Sequence, residues 1–256
     1  MLVSLKDLKG YSIQAKDGEI GKVNDFYFDD QDWTVRYLVD KDGVWLFGRQ
    51  VLISPASVRE INSDQMIFLV ALTREQVEKS PKLDKEKMLS KDAEKSLINY
   101  YQWPSYLGGS DSLAEAGYTQ TQAPYPLSLR GNRDIAQDAE QEMPSLKSSE
   151  NVLGYHISTN NGDLGFVDDF IVSSKTWEIR YMVIDARKGL NGKKILIAPE
   201  WIDWISWKKR RVSVSMDKEK IQGCPNFDLS LPIGREYEEL LYDHYECKKY
   251  WDDNAR

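Results

Sequence analysis

The chain has 256 residues, a length that holds one or two domains, with 41% hydrophobic and 29% charged residues, as in ordinary soluble globular proteins. Its net charge of −7 argues against wrapping a nucleic-acid backbone, because such binders present a basic face to phosphate. No apolar run reaches the roughly 18 residues of a membrane span, and no charged segment followed by an apolar core opens the chain, so no membrane helix or secretory signal is expected and a cytoplasmic location is the default.

Taken in order, residues 1–8 lead into a stretch that the chain carries twice, at 10–39 and again at 154–183, an offset of 144 without a gap. Gly10/Gly154, Gly18/Gly162, Gly21/Gly165, Asp25/Asp169, Trp33/Trp177 and Arg36/Arg180 are identical between the copies. Ahead of it, Ser4-Leu5-Lys6 recurs as Ser145-Leu146-Lys147 at an offset of 141, so the second copy is expected to hold three extra residues before its first glycine. Asp17-Gly18 and Asn161-Gly162 are dipeptides that favour a two-residue type I′ hairpin turn. A second hairpin is expected at residues 29–32 and 173–176, where polar residues separate two apolar strands. Centring its turn between Asp30 and Gln31 pairs Phe28 with Trp33, Phe26 with Val35 and Asp25 with Arg36. Alternation then puts Phe26, Phe28, Trp33, Val35, Tyr37 and Val39 on a core face, with Phe170, Val172, Trp177, Ile179, Tyr181 and Val183 as counterparts.

Farther on, residues 51–55 and 195–199 read as strands stopped at Pro55 and Pro199, and Phe68, Val70 and Leu72 match Val212, Val214 and Met216 in a last strand. About six short strands per copy point to a small closed or nearly closed β-barrel. Helical spacing follows each, through Ala93, Leu97 and Tyr101, and through Ile233, Tyr237, Leu240, Leu241 and Tyr245. The expected fold is mainly β: two tandem small β-barrels related by a pseudo-twofold, each with a C-terminal helical tail. The divisions are a first barrel at 1–80, its tail at 81–107, a linker at 108–150, a second barrel at 151–222 and its tail at 223–256. The linker is rich in Gly, Ser, Gln, Ala and Pro, with a turn or two of helix conceivable at 131–140.

Asp17-Gly18-Glu19-Ile20-Gly21-Lys22-Val23 with Asp25, and Asn161-Gly162-Asp163-Leu164-Gly165 with Val167 and Asp169, resemble the PRC-barrel family, whose domains are similar to the cytoplasmic barrel of the photosynthetic reaction-centre H subunit. The strands ending at Pro55 and Pro199 also fit. The matched residues are glycines, a hairpin and core positions. What the resemblance implies is a barrel fold and a protein-contact module.

No catalytic constellation stands out. His156 and His244 lie in a predicted strand and a predicted helix, and neither has a cysteine or second histidine at ligand spacing, so no metal site and no hydrolytic triad is expected. Residues 18–21 and 162–165 match the bare GxxG of an RNA-binding loop, but they join strands among acids and read as turns. Cys224 and Cys247 have no counterparts in the first copy, so no disulfide framework belongs to the repeat. No cofactor is expected.

Two surfaces are candidates for binding. Trp201, Trp204 and Trp207 recur at intervals of three and run into the basic stretch Lys208, Lys209, Arg210 and Arg211, where the first copy has no tryptophans. The second candidate is an inter-barrel contact: Asp25–Arg36 and Asp169–Arg180, opposite one another across their hairpins, on a reverse face with Tyr27, Leu38, Ile171 and Met182 that is too apolar to be left bare. The function expected is a non-enzymatic, protein-binding adaptor, partner unknown, with homo-oligomerisation possible. The alternatives are a small-molecule or anion sensor binding between the barrels, and an accessory protein like the reaction-centre H subunit without a membrane anchor.

Overall fold

The computed structural model describes residues 1–40, 50–81, 91–104, 146–186, 193–228 and 231–252. The first half forms β1 (Leu2–Ser4), α1 (Leu5–Leu8), β2 (Ser12–Ala15), β3 (Gly18–Lys22), β4 (Asp25–Asp29), β5 (Thr34–Asp40), β6 (Val51–Ile53), β7 (Val58–Asn62), β8 (Ile67–Val70), α2 (Arg74–Glu78) and α3 (Lys91–Tyr101). The second half forms β9 (Leu146–Ser148), α4 (Ser149–Val152), β10 (His156–Thr159), β11 (Gly162–Ser173), β12 (Ile179–Ala186), β13 (Lys193–Ile197), β14 (Ile202–Ser206), β15 (Arg211–Val214), α5 (Lys218–Gln222) and α6 (Arg235–Tyr245). The structure is mainly β, and the described strands fall in three sheets. The largest part of the expected linker, and the helix considered at 131–140, lie outside the described residues.

The offset of 144 extends to the first strand, since β1 and β9 stand 144 residues apart. The expected three-residue insertion is therefore absent, and Ser4 corresponds to Ser148 rather than to Ser145. The physical reason is capping. Ser4 Oγ accepts from the Asp7 amide at 3.1 Å, and Ser148 Oγ from the Asn151 amide at 3.1 Å, each as N-cap of a one-turn helix. A cap oxygen must sit at one backbone position, whereas a shared Leu-Lys dipeptide carries no such constraint. Residues 146–150, which composition assigns to the linker, are β9 and the start of α4.

Sheet order in the first half is β3-β2-β8-β7 and β6-β5-β4-β9, and in the second β13-β12-β11-β10-β15-β14 with β1 on β11. β2 runs parallel to β8, as β10 does to β15. Each half thus takes one strand from the other: β9 pairs with β4 and β1 with β11, both antiparallel. Among the described residues no ladder closes either set of strands into a complete barrel.

The hairpin register differs from the expected one. The turn spans four residues, 30–33, closed by Asp29 opposite Thr34, with Trp33 left-handed at φ 56°. Asp29 Oδ1 accepts from the Gln31 amide and Asp32 Oδ1 from the Thr34 amide, which holds the wider turn. A bulge between Tyr27 and Phe28 then adds one residue, so that Tyr27 faces Tyr37, Phe26 faces Leu38 and Asp25 faces Val39. One extra residue turns a strand over. Asp25 and Arg36 are consequently not opposite each other, and Phe26 shares a face with Leu38 rather than with Tyr37. The second half repeats this, with Asp169 opposite Val183, Phe170 opposite Met182 and Ile171 opposite Tyr181. All seven residues of β5 are buried, so neither face of this hairpin meets solvent.

The first hairpin also departs from expectation. Ala15 pairs with Gly18, so Lys16 and Asp17 form the turn, and the positive φ falls on Gly18 (143°) and not on the turn residues. The Asp17 side chain is engaged outside the turn, where its Oδ1 accepts from the Arg74 amide at the start of α2, at 2.7 Å. Asn161 does the same for Lys218 at the start of α5, at 2.8 Å. Gly21 and Gly165 mark a close approach, since a Cβ there would overlap the Asp40 carboxylate and the Asp185 carbonyl respectively.

Candidate functional site

A cluster of buried polar groups lies where the exchanged strands land. Asp25, at the start of β4, is 1% exposed. It accepts from Ser148 Oγ (2.6 Å), Ser149 Oγ (2.9 Å) and the Glu150 amide (3.1 Å), all from the other half, and from the Phe26 amide (2.8 Å). Asp169, 3% exposed, accepts from Ser4 Oγ, the Lys6 amide (3.1 Å) and the Phe170 amide (2.7 Å). Each cap serine therefore accepts from its own helix and donates to a carboxylate of the opposite half. Burial raises the Asp169 pKa to about 6, partly offset by its hydrogen bonds from Ser4 and the backbone.

The turns of the central hairpins complete this seam. Their left-handed tryptophans, Trp33 and Trp177 (φ 60°), direct carbonyls at the opposite strand. Ile179 donates to Trp33 O at 2.7 Å, and Val35 to Trp177 O at 2.9 Å. Phe28 meets Phe170 with ring centroids 5.5 Å apart, and Phe68 meets Trp177 at 6.2 Å. One continuous buried cluster contains apolar side chains from both halves.

Of the residues expected at an inter-barrel contact, Asp25 and Asp169 thus bond to the opposite half, through serines that sequence reasoning missed. Arg36 pairs with Asp32 on its own turn, and Arg180 pairs with Glu178 and lies over the Tyr250 ring at 4.2 Å. Tyr27, Leu38, Ile171 and Met182 are all buried, but they divide between two faces. Ser4 and Ser148 are legible at the offset of 144. The Ser-Leu-Lys match at 141 conceals them.

The tryptophan triplet does not form one surface. Trp201 is 6% exposed, packed against Tyr242 (5.0 Å) and Tyr245 (4.8 Å) of α6, so it belongs to the core and not to the exposed surface expected of the triplet. Its first-half counterpart, Ser57, accepts from Trp103 Nε1 at 2.7 Å, while the residue corresponding to Trp103 is Cys247. One half puts the indole on the tail and the other on the strand side. Trp204 and Trp207 are half-buried, and Trp207 is covered by Lys147, whose Nζ lies 5.0 Å from the ring centroid and 3.1 Å from Asp30. Lys208, Lys209, Arg210 and Arg211 are exposed at the β14–β15 tip, with Arg210 left-handed and over the Tyr155 ring.

The second tail docks through a buried carboxylate. Glu238 on α6, 3% exposed, accepts from Tyr181 Oη and Tyr250 Oη, each at 2.8 Å, and pairs with Arg235 at 3.1 Å. Burial and this carboxylate push the Tyr250 pKa up to about 12. Such tyrosines stay protonated and act as donors. His244 Nε2 bonds to the Lys220 carbonyl at 2.7 Å, and His156 lies 3.6 Å from Asp163. Among the described residues no group of His, Cys, Asp or Glu has the arrangement of a metal site, and no helix is long and apolar enough to cross a membrane.

Residues 2–77 match the family model of the PRC-barrel domain. The match takes in β1, whose sheet partner is β11 of the other half, and runs through α2 nearly to its end. It covers the glycines and the central hairpin on which the resemblance rests. No curated protein matches the chain.

Proposed function

We propose that the chain is a non-enzymatic protein-binding adaptor of two PRC-barrel-like units related by a pseudo-twofold, the second beginning at β9 and matching the first at an offset of 144. The observation that carries this reading is the reciprocal exchange of β1 and β9, locked by Ser4–Asp169 and Ser148–Asp25. Exchange joins both units in one core, so that surfaces from both keep a constant relation and serve as a platform. The partner surface is the β14–β15 tip with Trp204 and Trp207, where four cations stand together on a chain of net charge −7. The partner is therefore an acidic protein, met in the cytoplasm. The test is affinity capture of partners by the full chain, with Lys208→Glu and Arg211→Glu combined as control. A protein retained by the native chain and lost from the variant supports the adaptor reading. A turnover rate abolished by one point substitution overturns it.

A further inference from the structure

A cleft of about 290 Å³ lies where the two halves meet at the edge of the first. Val58, Arg59, Glu60 and Ile61 of β7 line it, with Pro55 and Ala56 just ahead of that strand. The rest of the lining is Ser174, Lys175 and Trp177, from the β11–β12 turn of the other half. Successive strand residues point to opposite faces, so a cleft against a face is lined by alternate residues. A β-bulge at Arg59 interrupts this alternation, but beyond it Glu60 and Ile61 are consecutive and both line the cleft, so it runs along the backbone edge. Among the described residues β7 ends its sheet, with β8 as its one strand partner. An open edge of this kind adds a strand from another chain.

We propose that this slot docks an extended, acidic segment of a partner protein as an added strand beside β7, a claim that rests on the adaptor reading and gives it a second contact. Charge selects the occupant. Arg59 and Lys175 are both exposed, and among the described residues neither side chain has a hydrogen-bonding or ionic partner, while Glu60 is the one acid in the lining. Two cations to one acid favour glutamates or aspartates on the incoming strand, and Pro55, Ile61 and the buried Trp177 give its alternate side chains an apolar floor. The equivalent place on the second half has the opposite character. There Asp203 stands for Arg59, Glu200 for Ala56, Trp204 for Glu60 and Gln31 for Lys175. Of these two equivalent places among the described residues, the β7 slot alone is basic, so one segment docks in this way per chain.

The probe is a capped hexapeptide alternating valine with glutamate, offered to the full chain beside its valine–lysine analogue, an N-methylated glutamate version, and free glutamate. Binding is read by titration, and its location by amide hydrogen exchange. The expected result is binding of the glutamate peptide with slowed exchange along residues 58–62, and at least roughly tenfold weaker binding by the N-methylated form and by Arg59→Glu combined with Lys175→Glu. Both substituted side chains are solvent-facing, and circular dichroism checks that the fold is retained. Equal binding of the lysine peptide, unchanged binding by the double variant, no binding at millimolar peptide, or free glutamate competing as well as the peptide each overturn the proposal; the last would make the cleft a small-anion site. If the slot fails while the tip variant still releases a captured partner, the adaptor reading stands without this contact. If that partner is never found, the peptide result stands on its own.

Discussion

The two halves share their seam and differ beneath their tails. At the seam, position by position, a serine caps a one-turn helix and donates to an aspartate of the opposite half. Under the tails, the first half bonds a small Ser57 to a large Trp103, while in the second the corresponding positions hold a large Trp201, packed on Tyr242 and Tyr245, and a small Cys247. The lesson is that a packed interior conserves volume rather than residue identity, whereas a buried charge conserves its donors. The exchanged indole explains why the tryptophan triplet reads as a surface in sequence: a side chain new to one copy fills space that its tail has vacated.

The tail side of that contrast breaks first. Trp201→Ser leaves the space beside Tyr242 and Tyr245 empty and is expected to cost about 3–5 kcal/mol in urea unfolding. Adding Cys247→Trp, which copies the first half's arrangement, recovers part of it. No recovery would mean that the two tails do not pack as counterparts.

The seam gives the next effect. Asp25→Ala strands four donors and Asp169→Ala three, the difference being Ser149, whose counterpart is Leu5. Each loss is expected at about 3 kcal/mol, with Asp25→Ala the larger, and lowers the melting temperature by roughly 6–12 °C. Asp169 adds a dependence on pH. Its folded pKa of about 6 exceeds the unfolded value of 3.8, so between these the folded state holds more protons. Stability falls as pH rises from about 4 to about 6 and this contribution is flat above; Asp169→Asn removes the slope. A slope unchanged in that variant would assign it to another group.

The smallest expected effect is a coupling near zero. Asp25 faces Val39, while Arg36 lies on the other face of β5 with Asp32 as partner. Asp25→Ala and Arg36→Ala should therefore be additive within about 0.5 kcal/mol. A rescue of either by the other would restore the register in which they stand opposite.

The sequence by itself determined the repeat at an offset of 144, the strand-rich character and the helical spacing that follows each set of strands. These are local properties: glycines at turns, alternation along strands, helical spacing, identity at a constant offset. Only the tertiary structure decided what the aspartates bind and which half each first strand joins. A three-residue strand has no periodicity of its own, and its partner is chosen by a carboxylate more than a hundred residues away. The bulge after Tyr27 belongs to the same class. Its single extra residue leaves the composition of the strand unchanged, yet it turns Asp25 away from Arg36 and toward the strand that arrives from the other half.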